Sequence, residues 1–374
     1  MHTVVDMLTK GIQSQIQHSN REINRLALIR KQPLPPKHDA PVAQHFFRPR
    51  TNPLDKMVGF ISLSTITLPT ETAPPTLHPP TLHPVIQCVH QVYKLKYLNG
   101  EATGLGDFIR GCYHLMQFCE RRSLACDFHI YDSCLKHYLP FFREKPALSP
   151  SVANQLQKHT HINASFAPNE AGVIEHHVST QGDHEFVAYL NRCHLHPRGH
   201  VFAHSILFPQ KHVSKEAKER MKTMLTPAPE LVATVDRLLA QWGMAAHQSF
   251  HVFHVRIGDS YLANQSNAVQ EQLARNLVAK MATWSPRMPC VLLSDSVSVR
   301  RLLCATFPQL LTLEGGTSHI LANDEESVRQ TVLEFHLMSR ASSIVSFSVY
   351  PHGSGFSKWC AFTYGIPYVC YYLP

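Results

Sequence analysis

The sequence lacks the segments that direct a chain into or across a membrane. It has no basic stretch followed by an apolar one at its beginning, and no apolar run approaches 18 residues. These patterns mark secretion signals and membrane-spanning helices respectively. We therefore predict a cytoplasmic protein, with a Golgi-like lumen as the less favoured location.

Several catalytic and metal-binding signatures are also missing. There is no Walker loop, no Gly-x-Ser-x-Gly elbow and no Cys-x-x-Cys pair among the ten cysteines. Several cysteines, such as Cys290 and Cys370, lie in apolar runs, which is typical of reduced core thiols, although disulfides remain an alternative. Cys193, His194, His196, His200 and His204 crowd one segment, but their spacing matches no zinc signature, so no metal site is predicted.

Charge is sparse and scattered. Charged residues make up 17% of the 374, and the formal net charge is +8. This balance favours anionic partners but does not by itself choose among nucleic acid, nucleotide-sugar and membrane surface. No basic stripe is interleaved with aromatic residues, so nucleic-acid binding is not the preferred interpretation.

Residues 1–85 differ in composition from the remainder. A Pro/Thr/His stretch contains two near-copies of a Pro-Thr-Leu-His-Pro repeat, ending at Pro79 and Pro84. Such a segment favours polyproline II conformation and is predicted to be an irregular extension or tether. Two α/β domains should follow: an amino-terminal one over 86–245 on the acceptor side, and a carboxy-terminal Rossmann-like one over 246–374.

Strands and helices alternate through both predicted domains. In the first, we expect a strand over 92–97, a glycine-containing turn over 99–107, a helix over 108–122, a strand over 126–131 and a strand over 201–208, with an irregular region over 150–200. In the second, four strand-helix repeats between 252 and 364 precede a final strand over 368–371. The prediction is an α/β fold in which two Rossmann-like domains face each other across a cleft.

The most informative segment is Phe250–Asp259. It is an apolar strand that ends in His254, Arg256 and Asp259. Ligands of open α/β sheets bind beyond the carboxyl ends of the strands, and a guanidinium matches phosphate oxygens two at a time. The alternative is an ordinary strand end with a surface arginine and a turn aspartate.

Three further segments combine strand ends with helix starts. Gly104, Gly106 and Asp107 form a turn that either admits a ligand close to the backbone or merely caps a helix. Asp295 either caps a helix or accepts hydrogen bonds from the donor edge of a purine. The small residues before and within Ser354–Ser357 either seat a phosphate at a helix N-terminus or serve as ordinary caps.

Taken in order, these motifs resemble the fucosyltransferase-like glycosyltransferases, which include alpha-1,2-, alpha-1,6-, nodulation and protein O-fucosyltransferases. The resemblance covers about residues 92–374. Its carriers are the segments Gly104–Arg110, Met224–Leu231, His254–Asp259, Leu293–Asp295, and Phe335–Ser339 through Ser354–Ser357. It implies a GT-B-like fold and an inverting transfer, from GDP-fucose or another GDP-sugar to a glycan or protein hydroxyl, with neither metal nor cofactor.

The resemblance also implies a role for each matched residue. Arg256 would bind the β-phosphate, and His254 with Asp295 would bind the guanine. Gly104, Gly106 and Asp107 would face the sugar. The residues expected to close on the pyrophosphate are Ser354, Gly355, Phe356 and Ser357.

The sequence departs from the family pattern in two places. Asp107 stands where the family often has Asn, and no carboxylate follows the His-x-Arg motif between Ser260 and Ala268. Asp107 and Asp259 are therefore both candidates for the general base. The base must lie within hydrogen-bond distance of the acceptor hydroxyl, which the sequence does not specify. A non-catalytic GDP- or sugar-binding protein is one alternative function, and a basic nucleic-acid-binding protein is another.

Overall fold

The computed structural model describes residues 81–94, 103–131, 133–156, 158–159, 164–178, 182–210, 212–244, 249–284, 288–313 and 324–374, apart from the side chains of Asp259 and Ser260. The chain divides into two units, Met1–His78 and Pro79–Pro374, and the described residues belong to the second. The predicted extension 1–85 lies almost entirely outside them, and the domain boundary near 245 stays a prediction.

The first sheet is built from residues before 210. Its elements are β1 (Cys88–Lys94), α1 (Leu105–Arg121), β2 (Ala125–Tyr131), β3 (Lys158–His159), β6 (Leu195–His196) and β7 (His200–Ser205). The strands run in the order β2-β1-β7-β3 and are parallel, and β6 pairs antiparallel with β7. The apolar residues of α1 at helical spacing, including Phe108, Cys112 and Leu115, are buried.

The second sheet follows the predicted alternation closely. Its elements are β8 (His251–Arg256), α8 (Asp259–Ala263), α9 (Asn267–Ala282), β9 (Cys290–Ser294), α10 (Val297–Thr306), β10 (Leu310–Thr312), α11 (Glu325–Ser339), β11 (Ser343–Ser348), α12 (Gly355–Tyr364) and β12 (Tyr368–Tyr372). All five strands are parallel in the order β10-β9-β8-β11-β12. The order reverses between β8 and β11, which is the switch point where ligands of open α/β sheets bind.

The predicted fold class is confirmed: two parallel α/β sheets of Rossmann type border one cavity. Along the chain, the helices α6 (Lys215–Met224) and α7 (Pro229–Gln241) come between the two sheets, and they are separated near Pro227 and Pro229 as expected. Helices α1 and α12, one from each half, pack against each other. None of the helices in the described part of the chain is long and apolar enough to cross a membrane.

The interpretation of 150–200 as irregular is wrong. The short helices α2 (Leu135–Tyr138) and α3 (Pro140–Arg143) precede this region. The region itself contains α4 (Pro150–Gln155), β4 (Ala164–Pro168), β5 (Ile174–Val178) and α5 (Gly182–Arg192). In α5, Phe186, Val187 and Leu190 are buried, so one face is apolar. Polar and histidine residues obscured that helical spacing in the sequence.

Candidate active site

A cavity of about 740 Å³ lies where the two halves meet. Its wall contains nine residues that the sequence singled out: Gly104, Gly106, Asp107, His254, Arg256, Asp295, Ser354, Gly355 and Phe356. These residues come from both halves and are separated by up to 252 positions in the chain. Folding therefore brings the predicted motifs into one cavity. The volume of this cavity is within the usual range of small-molecule sites.

Arg256 is fixed at the cavity wall by Asp295. Its Nη1 atom donates to Oδ2 of Asp295, and the other carboxylate oxygen accepts from the backbone N–H groups of Ile257 (2.8 Å) and Gly258 (2.9 Å). Gly258 has a φ of 77°, a conformation that favours glycine and turns both N–H groups toward the carboxylate. Asp295 thus holds the loop that carries the guanidinium, whose ring neighbour is Tyr350 at 5.8 Å.

His254 lies two residues before Arg256 on the same strand, and its side chain is buried. Burial lowers the pKa of His254 to about 4, with opposing contributions from nearby Asp295 and Arg256, so the imidazole is neutral near pH 7. Its ring is 5.9 Å from that of Phe356, and its Nδ1 is 3.5 Å from the hydroxyl of Ser346. The neutral ring retains one donor and one acceptor nitrogen for hydrogen bonding.

The first half contributes the start of α1. Gly106 lies directly against the start of α12: a Cβ atom placed on it would meet the carbonyl carbon of Gly355 and lie 2.6 Å from the nitrogen of Phe356. Gly104, in contrast, has open space around it, with Asp107 as the nearest group at 3.9 Å. Gly106 is therefore required for close approach of the two helices, whereas Gly104 is not.

Asp107 is partly accessible, with 38% of its side chain exposed against 12% for Asp295. Its Oδ1 lies 3.0 Å from Nη2 of Arg110, and that guanidinium lies 4.4 Å from the ring of Phe208. The structure describes only the backbone of Asp259, at the first position of α8. The side chain of Asp259 is outside the described residues, so its candidacy as base stays a prediction.

The N-terminus of α12 forms another part of the wall. Ser354 is the N-cap, and its side chain makes no capping hydrogen bond. The first N–H groups of a helix have no acceptor within the helix and carry partial positive charge. Ser357 is fully buried behind this wall, with its hydroxyl 3.4 Å from that of Ser346, so it attaches the helix to β11.

Sequence reasoning missed Lys358 and the hairpin that approaches it, which is formed by the antiparallel strands β4 and β5. Lys358 lines the cavity, and its Nζ donates to Nδ1 of His176 on β5 at 2.9 Å. Its ammonium is 5.9 Å from the ring of Phe166, which belongs to β4 and also lines the cavity. Burial lowers the pKa of Lys358 to about 8, and Arg110 adds to the shift. Helical position 358, one turn after Ser354, could have signalled this residue.

Glu334 was also missed. It lies on α11, lines the cavity, and accepts a hydrogen bond from Nε2 of Gln330 at 3.1 Å. Burial raises the pKa of Glu334 to about 7, and the charge of Asp295 contributes in the same direction. A carboxylate with a strongly raised pKa in a cleft is typical of functional sites. The sequence offered little signal, because Glu334 lies in mid-helix between apolar residues.

The chain was compared with known families, curated proteins and solved structures. No model of a protein family matches the chain, and no curated protein sequence matches it. Among solved structures, the chain is similar to NodZ alpha-1,6-fucosyltransferase soaked with GDP-fucose (15% identity, TM-score 0.43, covering 74% of this chain and 92% of that one). It is also similar to POFUT1 in complex with GDP (8%, 0.38, 78% and 99%).

A third similar structure is a mutant of Arabidopsis thaliana FUT1 in complex with GDP (9% identity, TM-score 0.41, covering 77% of this chain and 71% of that one).

Proposed function

We propose that this protein is an inverting glycosyltransferase that transfers a sugar, most readily fucose, from a GDP-sugar to a hydroxyl of a glycan or protein. The observation that carries the proposal is the position of Arg256. Its guanidinium is fixed by Asp295 at the switch point of a parallel sheet, in one cavity with the N-terminus of α12. Both features bind phosphate groups.

The diphosphate is assigned to the cationic side of the cavity. Arg256 contacts the β-phosphate, while the backbone N–H groups at the start of α12 face the same group. Lys358 adds a second side-chain cation at this wall. Charge that develops on the departing GDP is stabilised by donors that are already in place before the reaction. The metal-independent reaction implied by the sequence resemblance is compatible with this set of cations.

The guanine is assigned to His254 and Glu334. Asp295, which the sequence resemblance also implied, already accepts from Arg256 and two backbone N–H groups. Glu334 presents a carboxylate to the cavity, and an ionised carboxylate accepts from the adjacent N1–H and N2–H donors of guanine. Binding of those two donors would favour the ionised form over the protonated form that burial favours. This carboxylate selects guanine over adenine, which presents an acceptor at N1.

The acceptor side is assigned to the start of α1. Asp107 removes the proton of the acceptor hydroxyl. The oxygen of that hydroxyl attacks the anomeric carbon from the face opposite GDP. The bond from that carbon to the β-phosphate oxygen breaks, and its electron pair leaves with GDP. Asp107 is supported by its partly accessible carboxylate and by its place in the wall of the same cavity as Arg256, in the other half of the fold.

The test uses nucleotides that differ in one phosphate. Arg256→Ala should weaken GDP binding by about 2–4 kcal/mol, or roughly 30- to 1,000-fold, because a desolvated charge pair is lost. It should leave GMP binding nearly unchanged, since GMP has no β-phosphate. The GDP affinity of Arg256→Lys should lie between those of wild type and Arg256→Ala, because lysine keeps the charge and loses the planar fork of donors.

Arg301→Ala is the matched control, since Arg301 is exposed on α10 and does not line the cavity. Calorimetry measures the nucleotide affinities, and release of GDP from GDP-fucose with an acceptor panel measures turnover. Equal losses for GDP and GMP in Arg256→Ala, or no loss for either, would refute the assignment of this side chain to the β-phosphate.

One observation favours the second candidate, a non-catalytic GDP- or sugar-binding protein. Oδ1 of Asp107 already lies 3.0 Å from Nη2 of Arg110, and this contact competes with an acceptor hydroxyl for the carboxylate oxygen. This candidate predicts GDP binding with the same dependence on Arg256 but no transfer to any acceptor. Turnover in wild type that Asp107→Asn abolishes would reject it.

A further inference from the structure

A second group of reactive side chains lies on the first sheet, outside the cavity. His90 on β1 is register-paired with Asp127 on β2, and His129 stands two residues further along β2. Because side chains alternate along a strand, these three project from the same face of the sheet. His200 on β7 projects from that face as well, since it pairs with Cys88, two residues before His90. None of these residues lines the cavity described above.

Three of the four side chains point atoms at a common centre. Nδ1 of His90 is 3.0 Å from Nε2 of His129, Nε2 of His129 is 3.3 Å from Oδ2 of Asp127, and Nδ1 of His90 is 3.9 Å from that same oxygen. Tetrahedral zinc with bonds of about 2.0–2.1 Å requires ligand atoms roughly 3.3 Å apart. The three sides of the triangle, 3.0, 3.3 and 3.9 Å, bracket this spacing, so small shifts of the side chains would bring the three atoms to the spacing of a zinc tetrahedron.

The outer contacts of two of these residues are those of metal ligands. Nε2 of His90 lies 2.7 Å from Nδ1 of His200, and the His90 ring stacks on Phe202 at 4.3 Å. If Nδ1 of His90 binds a metal, its Nε2–H donates to His200, as ligating histidines commonly donate their second N–H. The second carboxylate oxygen of Asp127 accepts from Nζ of Lys145 at 2.6 Å, which orients the carboxylate.

A hydrogen-bond network satisfies this arrangement poorly without a cation. Nε2 of His129 faces both the carboxylate and a ring nitrogen, but a neutral imidazole has one hydrogen to place on one of its two nitrogens. A cation at the centre of the triangle would interact favourably with all three ligand atoms at once.

We propose that Nδ1 of His90, Nε2 of His129 and Oδ2 of Asp127 bind one divalent transition-metal ion, with zinc as the best match. Two imidazoles select against Mg²⁺ and Ca²⁺, which prefer oxygen ligands. Water completes the tetrahedron. The ion joins β1 to the edge strand β2 of the first sheet, apart from the cavity, and takes no part in sugar transfer. The site is therefore independent of the proposed function.

The experiment uses the full chain after metal is removed with a chelator. Titration with ZnCl₂ should show one tight equivalent by calorimetry, and CoCl₂ should give the intense visible absorption of tetrahedral cobalt. His129→Gln and Asp127→Asn each remove a ligand. Each should lower the zinc affinity by more than the roughly 10- to 100-fold that loss of an outer contact costs.

His137→Gln is the control, because His137 is an exposed histidine on α2 outside the cluster. It should bind zinc like wild type. Cooperative thermal unfolding checks that each variant is folded, and if a variant fails this check, the cobalt spectrum of the wild type decides alone. Weak octahedral cobalt absorption, the absence of a tight equivalent, or equal zinc affinity in wild type and folded ligand variants would overturn the proposal.

Discussion

Substitution of Glu334 by Gln should make the protein more stable at neutral pH while weakening its binding of GDP. Burial raises the pKa of this carboxyl from 4.5 to about 7 in the folded protein. Between these values the folded state holds a proton that the unfolded state has released, so the free energy of unfolding falls as the pH rises. The loss is complete above about pH 7. A glutamine has no such proton and should not show this loss.

The size of the effect follows from the two pKa values. A difference of about 2.5 pH units at 1.36 kcal/mol per unit gives an upper value of about 3 kcal/mol. Urea denaturation at pH 5 and pH 8 measures it. Wild type and Glu334→Gln should have similar stability near pH 5, and the variant should be more stable at pH 8. Glu326→Gln, at an exposed position on the same helix, is the control for the loss of one carboxyl group.

Binding of GDP should depend on the same residue, but its pH dependence should be opposite to that of the stability. Since the carboxylate must be ionised to accept from guanine, the GDP affinity of wild type should rise as the pH increases through about 7. Glu334→Gln should lack this rise and bind GDP more weakly by about 1.5–3 kcal/mol, the usual contribution of a charged hydrogen bond. Parallel stability curves in wild type and variant would refute the assigned burial, and equal GDP affinities would refute the contact with guanine.

The remaining predictions concern the walls of the cavity. Gly106→Ala should lower the free energy of unfolding by about 1–3 kcal/mol or more, because its Cβ meets the backbone of α12, whereas Gly104→Ala should be nearly neutral; denaturation of both variants tests this pair. Asp107→Asn should reduce turnover by at least about 100-fold and preserve GDP affinity, and equal turnover would transfer the base role to another residue. GDP affinity should fall above about pH 8 as Lys358 loses its proton, and Lys358→Met should remove that fall in a calorimetric pH series.

The elements of the second sheet could be predicted nearly to the residue. Cys290–Ser294 and Ser343–Ser348 are apolar strands, each followed by a small polar turn and a helix, and the structure has them where the pattern puts them. Local spacing is sufficient there because a strand buried on both faces needs a continuous apolar run. The same reasoning failed over 150–200, where the strands are short and polar and histidine residues obscure the spacing of the helix over Gly182–Arg192.

The candidate site was predictable in part, for a related reason. His254, Arg256 and the turn before Ser357 end strands or start helices, and such positions converge at one edge of a parallel sheet. Glu334 and Lys358 lie inside helices, where a charged residue ordinarily faces solvent. Their function depends on which helix face the other half of the molecule covers, and local sequence does not specify that face.

The sequence by itself determined the alternation of strands and helices, the loop endings that carry Arg256 and Ser354, and the resemblance to fucosyltransferases. These are properties of residues close together in the chain. The tertiary structure alone decided that Asp295 holds Arg256, that Gly106 touches the start of α12, and that His90, Asp127 and His129 share one sheet face. Each of these depends on strand register or on contact between helices distant in sequence, which are fixed by packing of the whole fold.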